Sequence, residues 1–227
     1  MHAVMIAGSR NEKGRTAQCL DAIGRGVSAG GGTSERFFLP LLKLERCRQC
    51  DLDGWGDCRR KGVCIIDDDF AMLIDNLKKA DVAVIASPVY LLDITESMRA
   101  FLDRMRRITF MQKENPLRGK PAALLTLAGG GGRGTAPALA TLDRQIFESG
   151  FDIVDLWSVR RQNFDVKIPM LEVAGKWLAS KPAYLNLEEA GRHVRPRGHE
   201  VAGDGVTFQV VRVDPAGPSG RRARHPR

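Results

Sequence analysis

Val82-Ala83-Val84-Ile85-Ala86-Ser87-Pro88-Val89-Tyr90-Leu91-Leu92 is the stretch from which the fold can be worked out. Its first five residues are all apolar, and Val82, Val84 and Ile85 are β-branched. That is the pattern of a strand buried on both faces of a parallel sheet. Pro88 has no N–H to donate, so the ladder is expected to end there. A helix is expected to begin near Thr95. A strand, an apolar loop and a helix in succession put Tyr90 and Leu91 at the carboxyl edge of the sheet, where open α/β sheets take their ligands. A simple apolar cover over that edge is the competing reading.

Toward the N-terminus, residues 2–7 read as a first strand and lead into Gly8-Ser9-Arg10-Asn11-Glu12-Lys13-Gly14-Arg15-Thr16. A helix follows, with Leu20, Ile23 and Val27 at helical spacing. Backbone N–H groups, hydroxyls, cations and the positive end of a helix dipole together make an anion site. The Walker A spacing is absent, and so is G-x-G-x-x-G, so a phosphate monoester fits better than a dinucleotide. An ordinary capped turn is the alternative. Toward the C-terminus, strands are expected near 35–39, 122–127 and 153–159, and helices near 136–149 and 168–180. The fourth strand runs into Gly129-Gly130-Gly131-Gly132-Arg133-Gly134, whose bare backbone permits close approach by a flat ring or serves as a flexible connector. Five strands alternating with helices argue for a doubly wound α/β sheet.

A loop of about twenty residues, uncommon inside a compact domain, carries Cys47, Cys50, Cys58 and Cys64 in the spacing C-x2-C-x7-C-x5-C. Four thiolates on one loop can converge on a cluster or a metal. Arg46, Arg48, Arg59, Arg60 and Lys61 would favour thiolates. An iron–sulfur cluster, zinc, and free or disulfide-paired cysteines are the competing states. Cys19 falls mid-helix and reads as a small packed residue. Asp67-Asp68-Asp69 precedes a helix carrying Phe70, Leu73, Ile74 and Leu77, and the helix dipole accounts for the triplet. In the helix after Thr95, Met98, Phe101, Leu102 and Met105 form the core face, and Arg99, Arg104, Arg106 and Arg107 read as its solvated face.

The 227 residues are 43% hydrophobic and 27% charged, which suits one folded α/β domain. No apolar run approaches the roughly 20 residues that span a bilayer. The N-terminus reads as a strand rather than a signal peptide, and a cytoplasmic location is expected. The net charge of +8 is concentrated in residues 191–227, where eight arginines face Glu200, Asp204 and Asp214. Phe208 is the single aromatic residue among those arginines, and the lack of regular aromatic interleaving argues against nucleic-acid binding. Residues 181–227 read as a basic C-terminal extension, partly disordered, with a strand or hairpin at 199–211.

Gly8-Ser9-Arg10 with Gly14-Arg15-Thr16 resembles the phosphate loop of the flavodoxin-like NADPH-dependent FMN reductase family. Ser87-Pro88-Val89-Tyr90, Asp93-Ile94 and Phe101-Leu102-Asp103-Arg104 resemble a second segment of that family. The resemblance covers residues 1–180. It implies a five-stranded parallel sheet of order 2-1-3-4-5, with a cysteine-rich loop inserted at 45–66. It also implies FMN as cofactor and NAD(P)H as co-substrate. Ser9, Arg10, Gly14, Arg15 and Thr16 would hold the phosphate, with Arg15 standing where the family usually has Asn. Pro88, Val89, Tyr90, Leu91 and Leu92 would line the isoalloxazine, with Gly129, Gly130 and Gly131 on another side. No side chain is needed as general acid or base, so no catalytic residue is expected. The cysteine loop resembles that of the iron–sulfur flavoproteins, which implies a 4Fe–4S cluster on Cys47, Cys50, Cys58 and Cys64. Asp53 stands where that branch has its third cysteine, and Cys58 comes five residues later. The activity implied is that of an FMN-dependent NAD(P)H oxidoreductase passing electrons to a small-molecule or protein acceptor. An electron carrier serving a partner redox protein is the alternative. A homodimer or homotetramer is expected by the same analogy.

Overall fold

β3 (Val82–Pro88) is the centre of the sheet, and all of its residues are buried. The computed structural model describes residues 1–110 and 112–180. In chain order the elements are β1 (His2–Ala7), α1 (Arg15–Ala29), β2 (Thr33–Phe38), α2 (Asp57–Lys61), α3 (Phe70–Lys79) and β3. They continue with α4 (Glu96–Thr109), β4 (Pro121–Ala128), α5 (Thr135–Glu148), β5 (Asp152–Arg160) and α6 (Phe164–Ala179). Every strand pairing is parallel, and the order is β2-β1-β3-β4-β5, as the resemblance implied.

Alternate strand residues face opposite sides of the sheet. Val4, Ile6, Ile85 and Leu124 pack with Phe70, Phe101 and Leu142 from α3, α4 and α5. Met5, Val84 and Leu125 pack with Leu20, Ile23 and Leu171 from α1 and α6. The near-continuous apolar runs of β1, β3 and β4 follow from burial on both faces, whereas β2, at one edge, exposes most of its residues. Cys19 is buried in α1, and burial pushes its thiol up to about 12, as expected for a packed residue. Helices α1 and α6 touch backbone to backbone. A Cβ on Gly26 would overlap the Glu172 carbonyl, and one on Gly175 would overlap the Ile23 carbonyl.

Pro88 does not end the ladder. It remains in β3 opposite Leu127. The last β1–β3 pair is Ala7 with Ala86, so β1 has already finished where the missing N–H would point. Likewise α6 begins at Phe164, four residues before the expected 168, with Pro169 inside it. Pro169 is exposed, so the carbonyl it leaves unpaired faces water. The hairpin expected at 199–211, and the whole extension 181–227, lie outside the described residues.

Candidate functional site

Three loops meet at the carboxyl ends of β1, β3 and β4. The first, residues 8–14, is tied to the second by Gly8 N donating to the Ala86 carbonyl at 2.8 Å. Gly8 must be glycine, because a Cβ there would overlap the Thr95 hydroxyl. The loop ends at Gly14, which caps α1 with no side-chain hydrogen bond, and the first turn of α1 holds no acidic residue. The positive end of a four-turn helix therefore has neither a capping side chain nor an acid in its own first turn. Ser9 and Thr16 are buried beside it, and Arg10 and Arg15 are exposed. The Arg15 guanidinium lies 6.0 Å from the centre of the Phe164 ring.

The second loop is pinned at its base by Ser87, whose hydroxyl accepts from Thr95 N at 3.1 Å and donates to the Pro88 carbonyl at 2.9 Å. Its tip is a two-residue turn. Tyr90 N donates to the Asp93 carbonyl at 2.9 Å and Asp93 N to the Tyr90 carbonyl at 3.0 Å. Leu91 and Leu92 occupy the turn with φ of 46° and 70°. Asn and Gly normally fill such positions, and each leucine costs roughly 1–2 kcal/mol there. The strain is retained for side chains that the fold itself does not bury: Tyr90 is 55% exposed, Leu91 100% and Leu92 56%.

The third loop supplies bare backbone. Among the described residues, a Cβ on Gly129, Gly130 or Gly131 would meet no atom within 4 Å. Packing within the chain therefore does not explain three glycines in a row; the space they leave is open. Gly130 and Gly134 have positive φ, 40° and 90°, and a Cβ on Gly134 would also strike Leu92 and Val89. Pro88 to Leu92 and Leu127 to Arg133 together line one cleft. Gln162 closes its side by donating to the Gly130 carbonyl at 3.2 Å.

The cysteine loop is built differently. Cys47, Cys50, Cys58 and Cys64 are all free and line a single cavity with Val63, Ile65, Ile66, Ile108, Arg104 and Arg107. Among the described residues, no three Cys, His, Asp or Glu side chains gather closely enough to hold one metal ion. The cavity is closed by a buried ion pair. Arg104, 1% exposed, grips Asp68, 2% exposed, with Nη1 and Nη2 at 2.6 and 2.8 Å. The same guanidinium donates to the Glu45 carbonyl at 3.0 Å and to Cys64 Sγ at 3.4 Å, and it stacks on Phe70 at 4.2 Å. Burial opposes ionisation of Asp68. Hydrogen bonds from Arg104 and from the Glu45 and Phe70 N–H groups outweigh it and hold the carboxyl below its usual range. A second groove joins the two regions: Arg46, Cys47 and Gln49 line it on one side, and Tyr90, Leu91 and Arg99 on the other.

The sequence pattern shared by NADPH-dependent FMN reductases matches residues 1–162. The chain belongs to that family. Among curated relatives of this FMN-reductase family member is an iron–sulfur flavoprotein of Archaeoglobus fulgidus. It is 34% identical over 105 residues, which is 46% of each chain. An iron–sulfur flavoprotein of Methanosarcina thermophila is 25% identical over 55% of this chain and 63% of its own. The chain thus spans about half to two thirds of the length of these relatives. Two solved structures share the fold. RosB, solved with 8-demethyl-8-formylriboflavin-5′-phosphate, superposes with a TM-score of 0.61 at 17% identity, covering 99% of both chains. The NAD(P)H:quinone oxidoreductase of Methanothermobacter marburgensis gives 0.59 at 17% identity, covering 78% of this chain and 98% of its own.

Within this member of the family, Ser9, Gly14 and Thr16 sit together at the head of α1, and Pro88 to Leu92 face Gly129 to Gly131 across one cleft. Two expectations are corrected. Arg104 does not belong to a solvated face; it is buried beneath the cysteine loop. The acidic triplet does more than match a dipole. Asp68 holds Arg104, and Asp69 accepts from Lys43 N at 2.7 Å. Sequence periodicity did carry a signal for Arg104, which stands three residues after Phe101 and four before Ile108, close to the buried stripe.

Proposed function

We propose that the protein is an FMN-dependent NAD(P)H oxidoreductase that relays electrons onward through its cysteine loop. The single observation carrying this reading is the cleft at the strand ends, where three glycines leave space that none of the described residues fills. Bound FMN would supply hydride acceptance and onward electron transfer. The chain's own residues bind and orient. The uncapped N-terminus of α1, with Ser9, Arg10, Gly14, Arg15 and Thr16, would take the phosphate dianion. Pro88, Val89, Tyr90, Leu91 and Leu92 would cover one side of the ring and exclude water, and the Gly129–Gly131 backbone would approach it from another.

The four thiols line one cavity, though among the described residues no three of them gather at one point, so holding an iron–sulfur group would require the loop to draw them together. Two relatives bear the name iron–sulfur flavoprotein, which supports the same reading. Cys47, Cys50, Cys58 and Cys64 would be the ligands, and Arg104 would donate to one of their sulfurs. The groove shared by Cys47 and Tyr90 favours a second reading, an electron carrier serving a partner redox protein.

Titration of the purified chain with FMN, with visible spectra and iron and sulfide analysis, tests the assignment. The expected result is one FMN per chain and iron lost when Cys58 is replaced by Ser. Failure to bind riboflavin 5′-phosphate would sink it. NAD(P)H oxidation by free quinone or flavin separates the reductase from the carrier. Arg15→Ala is expected to weaken FMN retention by roughly two- to fivefold, the size of a surface charge at a helix terminus.

A further inference from the structure

α2 stands beside two cavities. Asp57 and Cys58 line the thiol chamber, and Arg60 and Lys61 line a second cavity of about 550 Å³. Val63 and Ile108 are walls of both. The floor of the second cavity is apolar, with Ile74, Ile108 and Leu117 all buried. Its rim is cationic. Arg60, Lys61, Lys78 and Lys113 are exposed there, against a single lining carboxylate, Glu114. α2 buries none of its own residues. The Gln112 side chain donates to the Cys58 and Arg59 carbonyls at 3.0 and 3.1 Å and so ties α2 to the connection between α4 and β4. Lys113 follows on that connection and makes no ion pair among the described residues.

The rim selects an anion, and its surroundings select a small one. Arg60 and Lys61 share the Asp57 carboxylate at 2.8 and 2.9 Å, Arg60 lies 3.8 Å from Asp51, and Lys78 meets Asp75 at 2.9 Å. None of those three carboxylates lines the cavity. The face of an acidic protein, roughly 800 Å², would meet them, whereas a small anion inside the cavity meets only Glu114. Exposed ion pairs contribute about 0–1 kcal/mol, so a multiply charged phosphate displaces such carboxylates at little cost. The volume falls within the roughly 300–1,000 Å³ of small-molecule sites. The apolar floor suits a ring better than a bare ion. Phosphates reaching from Lys113 to Arg60 and Lys61 would give α2 a second tie, and would fix Cys58 with it.

We propose that this cavity is a binding site for a phosphorylated small molecule of nucleotide size, whose phosphates bridge Arg60 and Lys61 to Lys113. The probe is ATP, titrated by calorimetry into the full chain with FMN in excess, and tripolyphosphate is the comparison. ATP is expected to bind more tightly than tripolyphosphate and to slow tryptic cleavage after Arg60 and Lys61. Lys113→Glu should weaken ATP binding about tenfold, the size of one charged hydrogen bond, and abolish the protection, whereas Lys113→Arg keeps both. The eight arginines of residues 191–227 also attract polyanions, and the two Lys113 variants separate that attraction from this site. ATP bound equally well by Lys113→Glu would lie elsewhere and overturn the proposal. So would a wild type that does not bind ATP, or tripolyphosphate held as tightly as ATP, which would reduce the cavity to a patch of charge.

Discussion

The cleft at the strand ends and the cavity of the cysteine loop lie side by side and are held in opposite ways. The cleft is positioned by the sheet, since each of its loops leaves a parallel strand and is fixed within a few residues by backbone hydrogen bonds and by Ser87. The cavity has no strand behind it. Residues 42–69 contain only the short α2, and a guanidinium from α4 ties them down. Local geometry thus builds the first region, and long-range contacts from Arg104, Arg107 and Gln112 hold the second, the buried ion pair foremost. Single substitutions should therefore leave the cleft folded, whereas the cavity depends on Arg104 and Asp68.

Removing that contact should have the largest effect. Arg104→Ala leaves Asp68 buried without its ion-pair partner, at a cost of about 3–5 kcal/mol. A lower denaturation midpoint is expected, with proteolytic cleavage between residues 45 and 64. An unchanged cleavage pattern would contradict the division between the two regions. Acid should act on the same pair more gradually. The Asp68 carboxyl is held low in the folded chain, against about 3.9 when unfolded. Its contribution is complete above that value and is lost as pH falls through the folded one. Hydrogen exchange should show residues 42–69 opening below about pH 4 before the sheet does.

Next comes the tip of the second loop. Leu91→Asn with Leu92→Gly relieves two left-handed leucines and should raise stability by roughly 1–2 kcal/mol. The same pair should weaken FMN binding by removing apolar cover. Gain in stability with unaltered FMN affinity would mean that the strain serves something other than the cleft. The smallest effect on stability is expected at Gly131, where a Cβ meets nothing and φ is not positive. Gly131→Ala should change stability by less than about 0.5 kcal/mol. It should lower FMN affinity by roughly tenfold, equivalent to about 1.4 kcal/mol. Calorimetry of the apo and loaded protein separates the two.

The cleft was legible in the sequence because its signals are local. Apolar runs mark β1, β3 and β4, and each is followed at once by the loop that carries the chemistry. The sheet order needed the family resemblance as well, since periodicity does not rank strands. The clasp on the cysteine loop was hidden because Arg104 and Asp68 are 36 residues apart, and an arginine among arginines reads as solvated. The helix expected near 168–180 starts at Phe164, and the exposed position of Pro169 lets it run through that residue. The positive φ at Leu91 and Leu92 was equally invisible, because neither residue type ordinarily takes it.

Trp55 lies inside the cysteine loop with the Arg59 guanidinium 5.5 Å and the Arg107 guanidinium 4.8 Å from its ring. Its indole lies against cations that belong to the loop and to α4, so its emission is an intrinsic optical gauge. Filling or emptying the thiol-lined chamber would register there as a change in colour or brightness, without a label and without turnover.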